Sequence, residues 1–393
     1  MLGVLIRVAY FIIPRSFWGD EFFTIYSSSR PFLQNFIPFD VHPPLQFVLF
    51  HSCLYRLIPL LAGLVSLYFF RRLTKFKLAF LLFAISPYFL QLSGETRGYG
   101  LLCMFSILAL AGHKWAFPLA LATEHYAWFL LLAVPIVSWY VPFMLGSAVM
   151  IYFQSAAEEV MKSDRGWVWS IPAVIKKLGG LWLQFMGGVE YSFLTLQQVI
   201  NLPLWCKIHI LGYFTPMIFL FKARNKKWWM LFAGTILLLF VFYPIRLNAR
   251  YLPFCGVALY LLIAEGYHKT KCEFKCIIVA IIVACMSVSL WWMFTHHYDP
   301  YHKEDYISAA RIIETYSPKE YGLIGCREQV LWYIDKSYPE DGERLIECFV
   351  ANPDMEINSS HIIWQERVSG RKCIYAIKVS ELTYVFIYGK KHS

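Results

Sequence analysis

The chain has 393 residues, of which 58% are hydrophobic, 18% aromatic and only 16% charged. Soluble domains carry roughly 45–50% apolar and about 25% charged residues, so this composition excludes an ordinary soluble enzyme. The net charge of +10 divides into +13 before residue 299 and −3 after it, with no basic stripe interleaved with stacking aromatics, and that excludes a nucleic-acid partner.

Apolar runs recur up to His297. They predict a polytopic α-helical membrane protein with roughly 9–11 transmembrane helices. Residues 1–298 form this part, and residues 299–393 form a small extracytoplasmic α/β domain. The first 18 residues lack a small-residue cleavage site and read as an uncleaved first helix crossing outward. Residues 18–51 are then the first outer loop, lying on the membrane through apolar residues such as Phe22, Phe32 and Phe36. A span ending near Phe70 returns to the basic cluster at 71–77. Residues 78–92 cross outward, 94–98 turn, and 99–111 return to His113-Lys114.

Further spans are expected within 115–153, over 179–196 and over 202–221, the last reaching the cluster at 222–227. Residues 228–243 then cross out, 251–264 return to the cluster at 268–275, and 276–294 cross out again. By the positive-inside rule the basic clusters are cytoplasmic, which leaves the tail extracytoplasmic. Within the tail the pattern predicts helices over 303–316 and 328–334, and strands over 321–326, 345–350, 372–379 and 384–388. The ten cysteines show no CxxC pair; Cys103, Cys255 and Cys285 read as small core residues, and Cys326, Cys348 and Cys373 leave room for one disulfide in the tail.

Acids are scarce in the apolar part, so those at its outer edge are candidates for chemistry. Asp20 and Glu21 follow the first span, and either can take a proton from an acceptor hydroxyl as general base. In Asp40-Val41-His42-Pro43-Pro44 the prolines open a helix, which sets Asp40 and His42 on the same outer side. Glu21, Asp40 and His42 are candidate ligands for a divalent metal, although a helix cap and a structural hydrogen bond are the commoner roles for the last two. Glu95-Thr96-Arg97-Gly98-Tyr99 forms the second outer loop, where Arg97 can take a phosphate bidentately or pair with Glu95. Arg246, Asn248, Arg250 and Tyr251 make a second outward cationic group, and His125 is a candidate that a satisfied buried histidine also explains.

These pieces, in this order, resemble a GT-C glycosyltransferase of the bacterial and archaeal group related to protein mannosyltransferases and aminoarabinose transferases. The carrying motifs are Trp18-Gly19-Asp20-Glu21, His42-Pro43-Pro44-Leu45, Ser86-Pro87 followed by Ser93, Glu95, Arg97 and Tyr99, then Thr123-x-His125-Tyr126, Arg250-Tyr251-Leu252-Pro253 and Asp305-Tyr306-Ile307-Ser308-Ala309-Ala310. The segment between Pro44 and Arg56 and the region 115–153 are shorter than that pattern.

The resemblance implies a hexosyl- or pentosyltransferase of a prokaryotic cell (inner) membrane that uses a polyprenyl-phosphate sugar donor. Its acceptor is a glycan, lipid or protein, and no organic cofactor is implied. Asp20 takes the place of the general base, with Glu21, Asp40 and His42 around it. Arg97 and Arg250, with Glu95, Tyr99, His125 and Tyr251, fall in the substrate-binding places. The rival is a transporter or flippase for a lipid or amphiphile using the same outward charges. Transporters usually carry internal repeats and mid-membrane charges, and no repeat is evident in this sequence.

Overall fold

The computed structural model describes residues 1–13, 21, 24, 25, 28, 45–50, 55–149, 171–188, 204–242, 248–271, 273–295, 306–316, 321–325, 344–350, 371–378 and 383–391. Asp20, Asp40, His42 and Arg246 lie outside the described residues, as does the helix expected over 328–334. The chain divides into two compact units, Met1–Ile13 with Thr24–Trp291, and Pro14–Phe23 with Trp292–Ser393.

The helices run α1 (Leu2–Ile12), α2 (Leu45–Phe50), α3 (Leu57–Leu73), α4 (Lys77–Ile85), α5 (Pro87–Leu92), α6 (Tyr99–Leu110) and α7 (Ala116–Thr123), followed by a 3-10 segment at His125–Leu132. Next come α8 (Ile171–Gly187), α9 (Leu204–Gly212), α10 (Met217–Leu220), α11 (Lys226–Trp229), α12 (Thr235–Phe242), a 3-10 turn at Ala249–Tyr251, α13 (Pro253–Lys269) and α14 (Lys275–Thr295). Among the described residues, α14 with its 21 residues is the helix long and apolar enough to cross a membrane unaided. The stretches Leu2–Ile12, Tyr99–Leu110 and Leu204–Leu220 are apolar but shorter.

This departs from a row of unbroken spans, and the causes are local. Pro87 divides the expected 78–92 span into α4 and α5, because proline lacks the N–H that would continue the ladder. Pro216 stands between α9 and α10, and a π-helical turn, Met230–Gly234, is inserted between α11 and α12. The helix expected over 179–196 instead starts by Ile171 and stops at Gly187.

Burial in α9 is inverted relative to a water-soluble helix. Leu204, Trp205, Ile208 and Leu211 are exposed, whereas Cys206, His209 and Gly212 are buried. Lipid-facing helices put apolar residues outward and polar groups inward, so this face fits hydrocarbon as its solvent. His209 Nε2 donates to the Cys285 carbonyl of α14 at 2.9 Å, which the Tyr213 hydroxyl also reaches at 2.9 Å.

At the centre lies α13, buried on every side from Pro253 to Ala264. A helix apolar all round needs neighbours all round, and α4, α6, α10 and α11 supply them. A side chain at Gly266 would overlap the Phe219 carbonyl, so glycine allows α10 and α13 to touch backbone to backbone. The basic segments meet at the C-terminal end of α13. Phe76 packs against His268 at 5.9 Å between ring centroids, while Glu265 accepts from the backbone N–H groups of Arg224 and Asn225 at 3.3 and 3.2 Å. The other end of α13, about 25 Å away by helix rise, carries the Ala249–Tyr251 turn.

In the second unit a four-stranded sheet has the order β1-β2-β4-β3, with β1 (Tyr321–Gly325) parallel to β2 (Arg344–Val350), and β4 (Thr383–Lys391) antiparallel to β2 and β3 (Arg371–Lys378). Helix α15 (Tyr306–Ile313) packs on β4 and buries Ala309, Ala310 and Ile313. The Tyr388 hydroxyl donates to the buried Glu347 carboxylate at 2.8 Å. Because β4 separates the strands carrying Cys348 and Cys373 and their partners on it are Val385 and Tyr388, these positions stand more than about 10 Å apart, beyond disulfide reach.

Glu265 lies just past the apolar run and also pairs with Lys269. Burial pushes its carboxyl up, but the Lys269 ammonium and the two backbone N–H groups outweigh burial and hold it below its ordinary value. A carboxyl depressed on folding stabilises the fold above its unfolded value of about 4.3, and that contribution is lost as pH falls through the folded value. Glu265→Gln should therefore lower the melting temperature at pH 7 and shrink the drop seen on acidification below about pH 4. Equal melting temperatures at pH 7 would remove this latch from the fold.

Candidate active site

The site end of the first unit is built on the break at Ser86-Pro87. Ser86 caps α5, its Oγ accepting from the Phe89 N–H at 3.3 Å and meeting the Tyr260 hydroxyl at 2.8 Å. Pro87 cannot supply the N–H that the Phe83 carbonyl would have taken. Arg7, 1% exposed, reaches across from α1 to replace it. Its Nη2 lies 3.5 Å from the Phe83 carbonyl, and Nη1 donates to the Ala84 carbonyl at 3.1 Å. Its Nε donates to Ser93 Oγ at 3.2 Å, so one guanidinium ties the end of α4 to the start of the next turn.

That turn, residues 93–98, carries Glu95 and Arg97, both buried. Gln91 Nε2 donates to Glu95 Oε1 at 2.6 Å. Arg97 donates from Nη1 to Thr24 Oγ1 and from Nη2 to the Tyr99 hydroxyl, each at 3.2 Å, and its guanidinium lies 5.4 Å from the Tyr99 ring centroid. Tyr99 meets the Tyr251 ring edge-on at 5.4 Å, and Tyr126 stacks on Tyr251 at 5.1 Å. An aromatic row therefore joins three segments that the sequence separates by up to about 150 residues. Arg97 reaches the Tyr99 hydroxyl, and Arg250 precedes Tyr251 in the chain, so the row brings both arginines into one neighbourhood.

Beside it opens a small, partly open cleft lined by Tyr88, Gln91, Glu95, Gln184, Asn248 and Arg250. Its walls present a carboxylate, three amides and a guanidinium within an otherwise apolar bundle. Such a mixture suits a hydroxyl-rich group next to an anion.

The expected site residues Glu95, Arg97, Tyr99, Arg250 and Tyr251 thus share one end of the first unit. His125 sits near them, with Nδ1 2.9 Å from Ser147 Oγ, an oxygen that also accepts from Trp128 Nε1 at 3.0 Å. Glu21 is helical and 3% exposed, so a solvated carboxylate does not describe it. Asp20, Asp40 and His42 are outside the described residues, and among the described residues no group of three His, Cys, Asp or Glu side chains could hold a metal. Sequence reasoning overlooked Arg7, Tyr88, Gln91 and Gln184 as members of this region. Two signals were present: a guanidinium inside an apolar run, and a lone amide in the run 179–186.

No protein-family model matches the chain, and no curated protein sequence does. Among solved structures it is similar to the arabinofuranosyltransferase AftD from Mycobacteria, at 13% identity and a TM-score of 0.42, over 100% of this chain and 39% of that one. The chain therefore spans well under half the length of AftD. It is also similar to ArnT from Cupriavidus metallidurans in the apo state, at 13% identity and a TM-score of 0.39, over 97% of this chain and 96% of that one. Both likenesses run along all or nearly all of this chain.

Removing Arg7 would orphan carbonyls in apolar surroundings, at about 1–3 kcal/mol each. Arg7→Met should destabilise the detergent-solubilised protein by on the order of 3 kcal/mol, with Arg7→Lys recovering part of the loss. An unchanged melting temperature in Arg7→Met would refute this role.

Proposed function

We propose that the chain is a membrane glycosyltransferase that moves a sugar from a polyprenyl-phosphate-linked donor to an acceptor hydroxyl at the outer membrane face. The observation that carries this reading is the cleft in which Arg250 and Glu95 share a wall with Gln91, Gln184 and Asn248. It lies at the end of α13 remote from the basic clusters, beside Arg97 and its aromatic row. A polyprenyl chain dissolves in the bilayer while its phosphate stays at the interface. Guanidinium groups at that depth meet the phosphate, and the amides and carboxylate suit sugar hydroxyls.

In the proposed reaction Asp20 takes the proton of the acceptor hydroxyl. The acceptor oxygen attacks the anomeric carbon from the face opposite the phosphate, the bond from that carbon to the phosphate oxygen breaks, and the sugar is transferred with inversion. Charge accumulates on the departing polyprenyl phosphate, where the preorganised Arg97 and Arg250 stabilise it. Glu21, Asp40 and His42 flank the base in sequence and are the residues to test for a divalent cation. The acceptor is a glycan, lipid or protein hydroxyl.

The purified protein should transfer label from one member of a panel of polyprenyl-phosphate sugars, assayed with and without chelator. Asp20→Asn should reduce transfer by at least about 100-fold while donor binding persists; near-normal transfer would reject Asp20 as base. Arg97→Ala and Arg250→Ala should each weaken donor binding by about tenfold or more. Unchanged donor affinity in both variants would remove the phosphate role from this end of the molecule.

A further inference from the structure

Arg250 sits in a three-residue 3-10 turn, Ala249–Tyr251, too short to hold itself in place. Backbone and side-chain acceptors take each of its N–H groups in turn. The Ala249 N–H donates to Gln184 Oε1 at 2.8 Å, and the Arg250 N–H to Asn248 Oδ1 at 3.1 Å. The Tyr251 N–H donates to the Asn248 carbonyl at 3.2 Å, and the Leu252 N–H to the Ala249 carbonyl at 2.8 Å. That same Ala249 carbonyl takes a second bond, from the Tyr88 hydroxyl at 2.6 Å. Ala249 is 1% exposed, so water does not compete for these groups. One residue, the neighbour of Arg250, is thus gripped through both its N–H and its C=O by buried side chains from α8 and α5.

The two helices that carry the gripping side chains touch each other. Gly188 ends α8 with φ +68, its N–H donating to the Gln184 carbonyl at 2.9 Å. A Cβ there would come within 2.8 Å of the Tyr88 nitrogen and 2.9 Å of the Pro87 carbonyl carbon. The glycine therefore lets the end of α8 rest directly on the start of α5. Gln184 and Tyr88 also line the same cleft as Arg250.

We infer that Tyr88 and Gln184 are positioning residues that set the Arg250 guanidinium at the cleft through the Ala249 peptide groups, without themselves taking the phosphate. The functional half of this inference rests on the phosphate role proposed for Arg250; the clamp itself does not.

Two measurements separate these halves. In hydrogen-exchange mass spectrometry of the full-length protein in detergent, Tyr88→Phe and Gln184→Met should speed exchange across 248–252 about tenfold or more. Exchange within α13 should stay as it was, and Gln184→Glu, which keeps an acceptor oxygen, should restore most of the protection. Unchanged exchange at 248–252, or an equal rise throughout α13, would overturn the clamp. The second measurement is the affinity for a polyprenyl phosphate. The clamp variants should each weaken it about tenfold, and should weaken it no further in an Arg250→Ala background, because residues acting through one group are not additive. Fully additive losses would overturn action through Arg250. If Arg250→Ala alone leaves the affinity unchanged, the phosphate role falls and the functional half of the inference with it, while the exchange result still decides the clamp.

Discussion

A helix broken within an apolar bundle exposes backbone groups that no water can satisfy, and the first unit is organised around one such break. At Ser86-Pro87 the ladder of α4 stops, and the protein itself must answer the freed carbonyls. Arg7 does so from α1, and by also reaching Ser93 it fixes where the next turn begins. Ser86 turns the other way, toward Tyr260 of α13, whose hydroxyl also donates to the Phe185 carbonyl at 2.8 Å. The break thus connects α1, α8 and α13 through polar contacts that an unbroken span would have had no reason to make.

The same break creates room for function. Behind Pro87, the bare backbone of Gly188 lets α8 end against α5, and Tyr88 and Gln184 come to face one peptide segment from two sides. The 93–98 turn follows directly, so Glu95 and Arg97 are delivered to the end of the bundle where the Ala249–Tyr251 turn also lies. The Ala249 peptide groups, bonded through both N–H and C=O, stiffen that turn at a place where a loop would otherwise be soft.

Membrane solvation explains the remaining architecture. On α9 the apolar side chains face outward and His209 faces inward, toward Tyr213 and Ser289, which lie within 2.7 Å of each other through their hydroxyl oxygens. Packing between helices then depends on small residues and shared polar groups rather than on hiding apolar surface from water. Gly266 against the Phe219 carbonyl is one such contact, and the hydrogen bonds onto the Cys285 carbonyl are another.

Much of this was legible in the residues themselves. Apolar runs, basic clusters and the alternation of the tail strands depend on local composition and periodicity, so the helical bundle, its basic end and strands β1 to β4 could be read directly. Arg97 and Tyr99 were readable as neighbours because two positions separate them. What the sequence could not decide was which distant groups answer each other. Nothing local pairs Arg7 with the carbonyls of Phe83 and Ala84, or Gln184 with the N–H of Ala249, since those partnerships exist only once a broken helix has to be satisfied from outside. The order of strands likewise belongs to the tertiary structure, because periodicity identifies a strand without saying which strand it adjoins; that order parts Cys348 from Cys373. The sequence determined the apolar character, the elements and the residue types of the segments between them, and the fold decided which of them meet.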